Sequence, residues 1–179
     1  FEGGRWRTVA DSRYGRRITA DTPFRIKGPA AGHALMRTAE DPTGTRVRGT
    51  FQNCANGYTP WGTYLTCEEN FNQYFGTTNT AVPGQTRSTT QTRYGLASAT
   101  TERRYETYFA RFDWQKEPNE ANRFGWIVEI DPFDPDSTPV KRTALGRFKH
   151  EGATVTLARD GRVVDYMGDD ERFEYVYKF

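Results

Sequence analysis

The sequence predicts an all-β protein, and three observations carry that prediction. Threonine, tyrosine, phenylalanine and glycine are abundant, and aromatic residues reach 15%, a composition that suits pleated strands and tight turns better than helices. Short runs of alternating apolar and polar residues recur between clusters of turn residues. The pair Asp160-Gly161 separates two such runs, the strongest short-range signal for a hairpin. Short strands at close spacing build a sandwich, a barrel or a propeller, and no clean internal repeat separates these architectures.

Residues 1 to 30 are charged and rich in turn formers, with Arg16-Arg17-Ile18-Thr19 and Phe24-Arg25-Ile26-Lys27 as short strands and Gly28-Pro29 closing the stretch. A short apolar patch over 32–36 precedes the acidic turn Glu40-Asp41-Pro42-Thr43-Gly44. The run Arg46 to Phe51 alternates with period two, as a half-buried strand does. Phe51 to Cys54 and Trp61 to Cys67 flank a turn at Tyr58-Thr59-Pro60. Residues 77–92 contain Thr, Asn, Gln, Ser, Pro and Gly with little to bury, which predicts a flexible threonine-rich loop or insertion.

Tyr105, Tyr108, Phe109 and Phe112 recur at helical spacing, so one short helical insertion is predicted within 99–114, capped by Thr100-Thr101 and packing its aromatic stripe into the core. Gly125 to Ile130 is the next strand, stopped by Asp131 to Asp136, and Val140 to Leu145 resumes it. Ala153 to Ala158 and Arg162 to Met167 form the Asp-Gly hairpin, followed by Phe173 to Phe179. Both ends read as cut, so the 179 residues are expected to be one incomplete domain of a larger chain.

The 25 basic and 23 acidic residues nearly balance, which gives no support for nucleic-acid binding. No stretch approaches the ~18 apolar residues of a membrane span. A monomer is expected.

Three clusters point to metal chemistry. In Cys67-Glu68-Glu69 a soft thiol stands beside hard oxygen donors at a strand end. Thiolate with carboxylate suits iron or zinc, and carboxylates alone suit calcium. A buried cysteine followed by two solvated glutamates is the plain alternative. In His150-Glu151-Gly152, Glu151 precedes a glycine that permits close backbone approach, and His150 is a candidate ligand or acid–base group. In Asp169-Asp170-Glu171 three successive acids repel unless a cation neutralises them. Arg142 and Arg147 are candidates for holding an anionic substrate, or partners for nearby carboxylates. A Cys54–Cys67 disulfide is the competing use of the two thiols and excludes Cys67 as a ligand. There is no glycine-rich phosphate loop and no Gly-x-Ser-x-Gly turn, so no catalytic nucleophile is assigned.

Several longer blocks carry a resemblance: Asn53-Cys54-Ala55, Thr59-Pro60-Trp61-Gly62-Thr63, Leu65 to Phe71, Arg123 to Pro132, Lys141 to Phe148, His150 to Ala153 and Tyr166 to Phe173. Together they resemble the PhoX-type alkaline phosphatases over most of residues 45 to 179. The resemblance implies a six-bladed β-propeller with a pair of ferric ions and several calcium ions, Fe3+ and Ca2+, at its centre. It implies phosphomonoester hydrolysis in the periplasm or outside the cell, after export by the twin-arginine route. Carried onto this sequence, it makes Cys67 an iron ligand and Glu151 a metal ligand, with Glu68, Glu69, Asp169, Asp170 and Glu171 beside them. The family chain is several times longer, so the isolated 179 residues are expected to be inactive. The alternative is a non-catalytic, calcium-stabilised secreted propeller or binding module.

Overall fold

The alternating runs pair into two sheets in a computed structural model that describes residues 1, 3–79 and 86–179. The first sheet contains β1 (Pro23–Lys27), β2 (Arg46–Arg48), β3 (Asn53–Tyr58), β4 (Tyr64–Glu68), β5 (Ile127–Ile130) and β6 (Val140–Arg142). Their order is β2-β1-β6-β5-β4-β3, antiparallel except where β1 meets β6. The second sheet is the meander β7 (His150–Leu157), β8 (Val163–Asp169) and β9 (Val176–Lys178). The described residues are thus mostly β, and their sheets remain open rather than closing into a ring.

Period-two alternation decides what each face of the first sheet touches. Leu65 and Cys67 on β4, with Ile127 on β5, pack against Phe148, Ala153 and Met167 of the second-sheet side. The next residues along, Trp126 and Val128, face the opposite way into an aromatic core with Phe24, Phe51, Phe71, Phe75, Phe112 and Phe124. Phe51 lies 4.7 Å from Phe124 and 5.4 Å from Phe112, ring centre to ring centre.

The same alternation drives Glu68 into that aromatic core. Its Oε1 accepts from Lys141 Nζ at 2.7 Å, and its Oε2 accepts from the backbone N–H groups of Gly125 at 3.0 Å and Trp126 at 3.2 Å. Lys141 also donates to the Arg123 carbonyl and stands 3.7 Å over the Phe124 ring. Burial pulls the Lys141 ammonium down to about 8. Both side chains have 0% exposure, so the pair holds β4, β6 and the turn before β5 to one another.

Three expected elements differ. The long helix is a single turn, α2 (Tyr105–Tyr108), after which Ala110–Phe112 makes a 3-10 turn. Arg104, with φ +57°, ends any helical path from Thr100, and Thr101 donates to the Glu106 carboxylate instead of capping a longer helix. Tyr108 and Phe109 consequently point to solvent, and Phe112 alone of the stripe is fully buried. Within 77–92, residues 80–85 lie outside the described residues. The remainder is not bare loop, since it contains α1 (Thr89–Arg93), where Ser88 and Gln91 form a reciprocal capping box and Gln91 is buried. Residues 16–19 form no strand, although Arg16 donates to Ser137.

Among the described residues, one buried carboxylate has no partner. Asp165 on β8 is 4% exposed, neither of its oxygens is hydrogen-bonded, and burial pushes its carboxyl up to about 6. The folded protein therefore keeps this proton between about pH 4 and 6, where the unfolded chain has released it, so the group's contribution falls as pH rises through that window. Asp165→Asn is expected to stabilise the protein by about 1–2 kcal/mol above pH 6, a value discounted for solvent reaching the neighbouring cavity, with no gain below about pH 4. Urea titration at both ends of the window checks it; an equal effect at both would assign the change to packing rather than charge.

Candidate functional site

Two strands from different sheets, β3 and β7, come into direct contact because Gly57 carries no side chain. A Cβ on Gly57 would lie 1.9 Å from the Ala153 carbonyl oxygen, and one on Gly152 would rest at 3.7 Å from the Ala55 methyl. Both strands are bulged at this seam. The β3–β4 register slips between Asn53 and Asn56, and the β7–β8 register slips between His150 and Ala153. Bulges re-aim side chains, and these two contain Cys54 and Glu151. Gly57→Ala is expected to push the strands apart at a cost of about 1–3 kcal/mol. A fall in melting temperature together with weaker metal binding checks it; an unchanged melting temperature would show that the strands tolerate separation.

The neighbouring chain ends complete the cluster. Gln52, in the left-handed region at φ +50°, accepts from the Glu69 N–H at 3.1 Å. Asp170 N–H donates to the Lys149 carbonyl at 3.1 Å and brings the end of β8 to the start of β7. The Cys54 thiol lies beside the Glu69 carboxylate, which lies beside Asp170 and accepts from Asn70 Nδ2 at 2.8 Å. Glu151 is close enough for its charge to act on Cys54.

The electrostatics follow from crowding of like charges. Glu69 is raised above the usual carboxylate range, first by desolvation and then by the Asp170 carboxyl beside it. Cys54 is raised by the Glu69 carboxylate beside it, by desolvation and by the Glu151 charge. Among the described residues no lysine or arginine forms an ion pair with Glu69, Glu151 or Asp170. The donors are linked in a chain rather than gathered round a point: among the described residues no three His, Cys, Asp or Glu side chains converge tightly enough to hold a metal ion.

Other sequence-predicted site residues lie elsewhere. Cys67 is fully buried between the sheets, and burial, with the Asp165 charge second, lifts its thiol to about 12, which keeps it neutral in the metal-free fold. Both cysteines are free thiols, which removes the disulfide alternative. Glu68 is the buried partner of Lys141, with both oxygens committed. Glu171 pairs with Lys149, and Asp169 Oδ1 accepts from the Glu171 N–H to hold their turn, which leaves Asp170 as the member of the acidic triplet facing Glu69. His150 is buried, stacked 3.6 Å from the Phe148 ring centre and pushed down to about 4 by burial, so it stays neutral and away from solvent.

The two arginines have partners within the fold. Arg142 pairs with Glu129. Arg147 donates to the carbonyls of Phe124 and Ala121, both at 2.8 Å, and lies 4.0 Å over the Tyr94 ring. The residue that sequence reasoning missed is Cys54. Its signal was the mostly polar run Gln52-Asn53-Cys54-Ala55-Asn56, which offers no large apolar neighbour to bury a thiol, whereas Cys67 shares its face with Leu65.

Comparison with known proteins follows from this geometry. No curated protein matches the chain. The solved structure of Pseudomonas fluorescens PhoX in complex with vanadate, a transition state analogue, is 59% identical with a TM-score of 0.93. The match covers 100% of this chain and 30% of that one, so the chain spans about a third of the neighbour's length. The family profile of alkaline phosphatase PhoX matches residues 2–179, nearly the entire sequence, and by that measure the chain belongs to the PhoX alkaline phosphatase family.

Proposed function

We propose that the full-length protein hydrolyses phosphomonoesters, and that Cys54, Glu69, Glu151 and Asp170 supply part of its metal centre. The observation that carries this reading is the bulged seam, along which one thiol and three carboxylates are strung close together without a counter-cation among the described residues. The donor set fits the group: a soft thiolate suits iron, and hard carboxylates suit iron or calcium. Bound iron and calcium would supply positive charge against the phosphoryl oxygens. The chain's own residues prepare for that charge. Glu69, raised above the usual carboxylate range by desolvation and by the Asp170 carboxyl beside it, is the group whose charge a bound cation would favour. The Asn70 amide and the backbone of Gln52 fix Glu69, and the β3 bulge fixes Cys54.

The two open sheets are read as part of a six-bladed propeller, with the remaining ligands and the phosphate-holding groups contributed by the rest of the protein. The neighbouring protein is described with vanadate, a transition state analogue, which supports phosphoryl transfer as the reaction class. Among the described residues no helix is long and apolar enough to cross a membrane. Action in the periplasm or outside the cell, as a monomer, completes the reading. The test is hydrolysis of p-nitrophenyl phosphate by the full-length protein. Phosphate release that vanadate inhibits is expected. A metal-loaded protein that binds calcium and releases no phosphate would instead establish the non-catalytic alternative.

A further inference from the structure

We propose that the open cavity of about 660 Å3 at the β2 edge of the first sheet binds a dianionic phosphoryl group, a phosphate or a phosphate monoester, between Arg25 and Arg46. The site lies at the opposite edge of that sheet from β3 and Cys54, and the inference is independent of the phosphatase reading.

Period-two alternation sets the two arginines side by side. Phe24 of β1 stands opposite Val47 of β2, and both are buried in the aromatic core. Their neighbours Arg25 and Arg46, also directly opposite in register, turn to the other face. Both are exposed and both line the cavity. Among the described residues neither side chain forms an ion pair or a hydrogen bond. Like charges directly opposite across two strands repel, with Cβ atoms about 4.5–5.5 Å apart. That spacing lets two guanidinium forks close on one tetrahedral oxyanion, which each can hold through two parallel N–H···O bonds.

The other charges of the cavity wall are committed. Arg48 grips Glu40 in a fork, Nε to Oε1 at 2.6 Å and Nη2 to Oε2 at 3.0 Å. Arg123 pairs with Glu120 through Nη2 at 2.7 Å, and its Nη1 donates to the Arg46 carbonyl at 2.8 Å, which steadies the strand beneath the site. Asp41 accepts from the N–H groups of Arg46 at 2.7 Å and Thr43 at 3.2 Å and from the Thr43 hydroxyl, so both its oxygens are occupied.

Four arginines against two acids leave two positive charges in excess on the wall. That balance disfavours a cation, and a monoanion neutralises only half of it. A dicarboxylate holds its charges on separate carbons, whereas arginines on facing residues converge on a single head group. Thr138, exposed at the rim, adds a hydroxyl donor. The volume falls within the roughly 300–1,000 Å3 of small-molecule sites, which leaves room for the organic part of an ester.

The probe is methylphosphonate, which has no ester bond to hydrolyse. It is titrated by calorimetry into the full-length protein at low salt and mildly alkaline pH, with acetate as the monoanionic control. At this site methylphosphonate is expected to bind at least about tenfold tighter than acetate, and its binding to be lost in the double variant Arg25→Gln/Arg46→Gln. Hydrolysis of p-nitrophenyl phosphate by that variant should remain unchanged. Phosphonate bound at a metal centre is retained by the double variant, so failure of the phosphatase reading removes that component alone. Identical titrations of the unaltered and doubly substituted proteins, or an arginine-dependent component that takes acetate equally well, would overturn the assignment. Should the double variant fold poorly, Arg46→Glu replaces it, because the new carboxylate gives Arg25 a cross-strand partner. The same loss is expected there, and undiminished phosphonate binding would overturn the site.

Discussion

Glu68→Ala is expected to destabilise the fold by about 3–5 kcal/mol, a large share of the ~5–15 kcal/mol that holds a typical domain. The substitution leaves three groups unsatisfied at once. Lys141, with 0% exposure, loses its counter-charge and keeps the Arg123 carbonyl and the Phe124 ring as its neighbours. The N–H groups of Gly125 and Trp126 lose their acceptor, and neither residue is open to solvent. Glu68→Gln retains an acceptor for those N–H groups and removes the charge alone, so an intermediate loss of about 2–3 kcal/mol is expected. Combining Glu68→Gln with Lys141→Met removes the stranded ammonium and is expected to recover most of that loss, because the pair interacts directly and the effects do not add. Urea unfolding of the unaltered protein, Glu68→Gln, Lys141→Met and the double variant gives the coupling. The rival role, Glu68 as a metal ligand, predicts the reverse pattern: lost metal with stability changed by less than about 1 kcal/mol.

The strands were legible because alternation is a local property. Leu65 and Cys67 alternate with Thr66 and Glu68, and the structure sends the first pair to one core and the second to the other face. The hairpin across Asp160-Gly161 was legible for the same reason, since its turn chemistry lies within four residues. The helix over 99–114 failed because one backbone conformation outweighed the periodicity. Arg104 in the left-handed region leaves a single turn, and Tyr108 and Phe109 then face water. The capping box Ser88-x-x-Gln91 was present in the sequence and was outweighed by the polar composition around it.

The candidate site was half legible. Glu69, Glu151 and Asp170 each stood in an acidic or turn-rich block that suggested a ligand. The sequence had no means of choosing among Asp169, Asp170 and Glu171, because the choice depends on Lys149 claiming Glu171 and on the turn that Asp169 holds. Cys54 stayed hidden for a longer-range reason. It meets Glu151 through a contact between strands almost a hundred residues apart, made possible by Gly57 and by two register slips that no periodic pattern announces.

Cys54→Ala is accordingly expected to lower iron content and phosphomonoester hydrolysis together in the full-length protein, by on the order of 100-fold or more in affinity or activity, the upper range for outer-shell partners that a direct ligand should at least match. Stability of the metal-free form should change little, because Cys54 is exposed and its substitution leaves no cavity. Cys67→Ala should do the opposite. It keeps iron and activity and costs roughly 1 kcal/mol for the void left in the core between the sheets. The two thiols also differ in chemistry before any metal binds. Cys54 is open to a disulfide reagent in the metal-free protein, whereas Cys67 is enclosed and its thiol is lifted to about 12, so it should react upon unfolding. Iron lost from Cys67→Ala with the fold intact would return the ligand role to that residue. The physics argues against it. Ionising Cys67 in place means forming a thiolate in an apolar layer beside the unpaired Asp165 carboxyl, whereas the exposed Cys54 lies at the end of a chain of carboxylates.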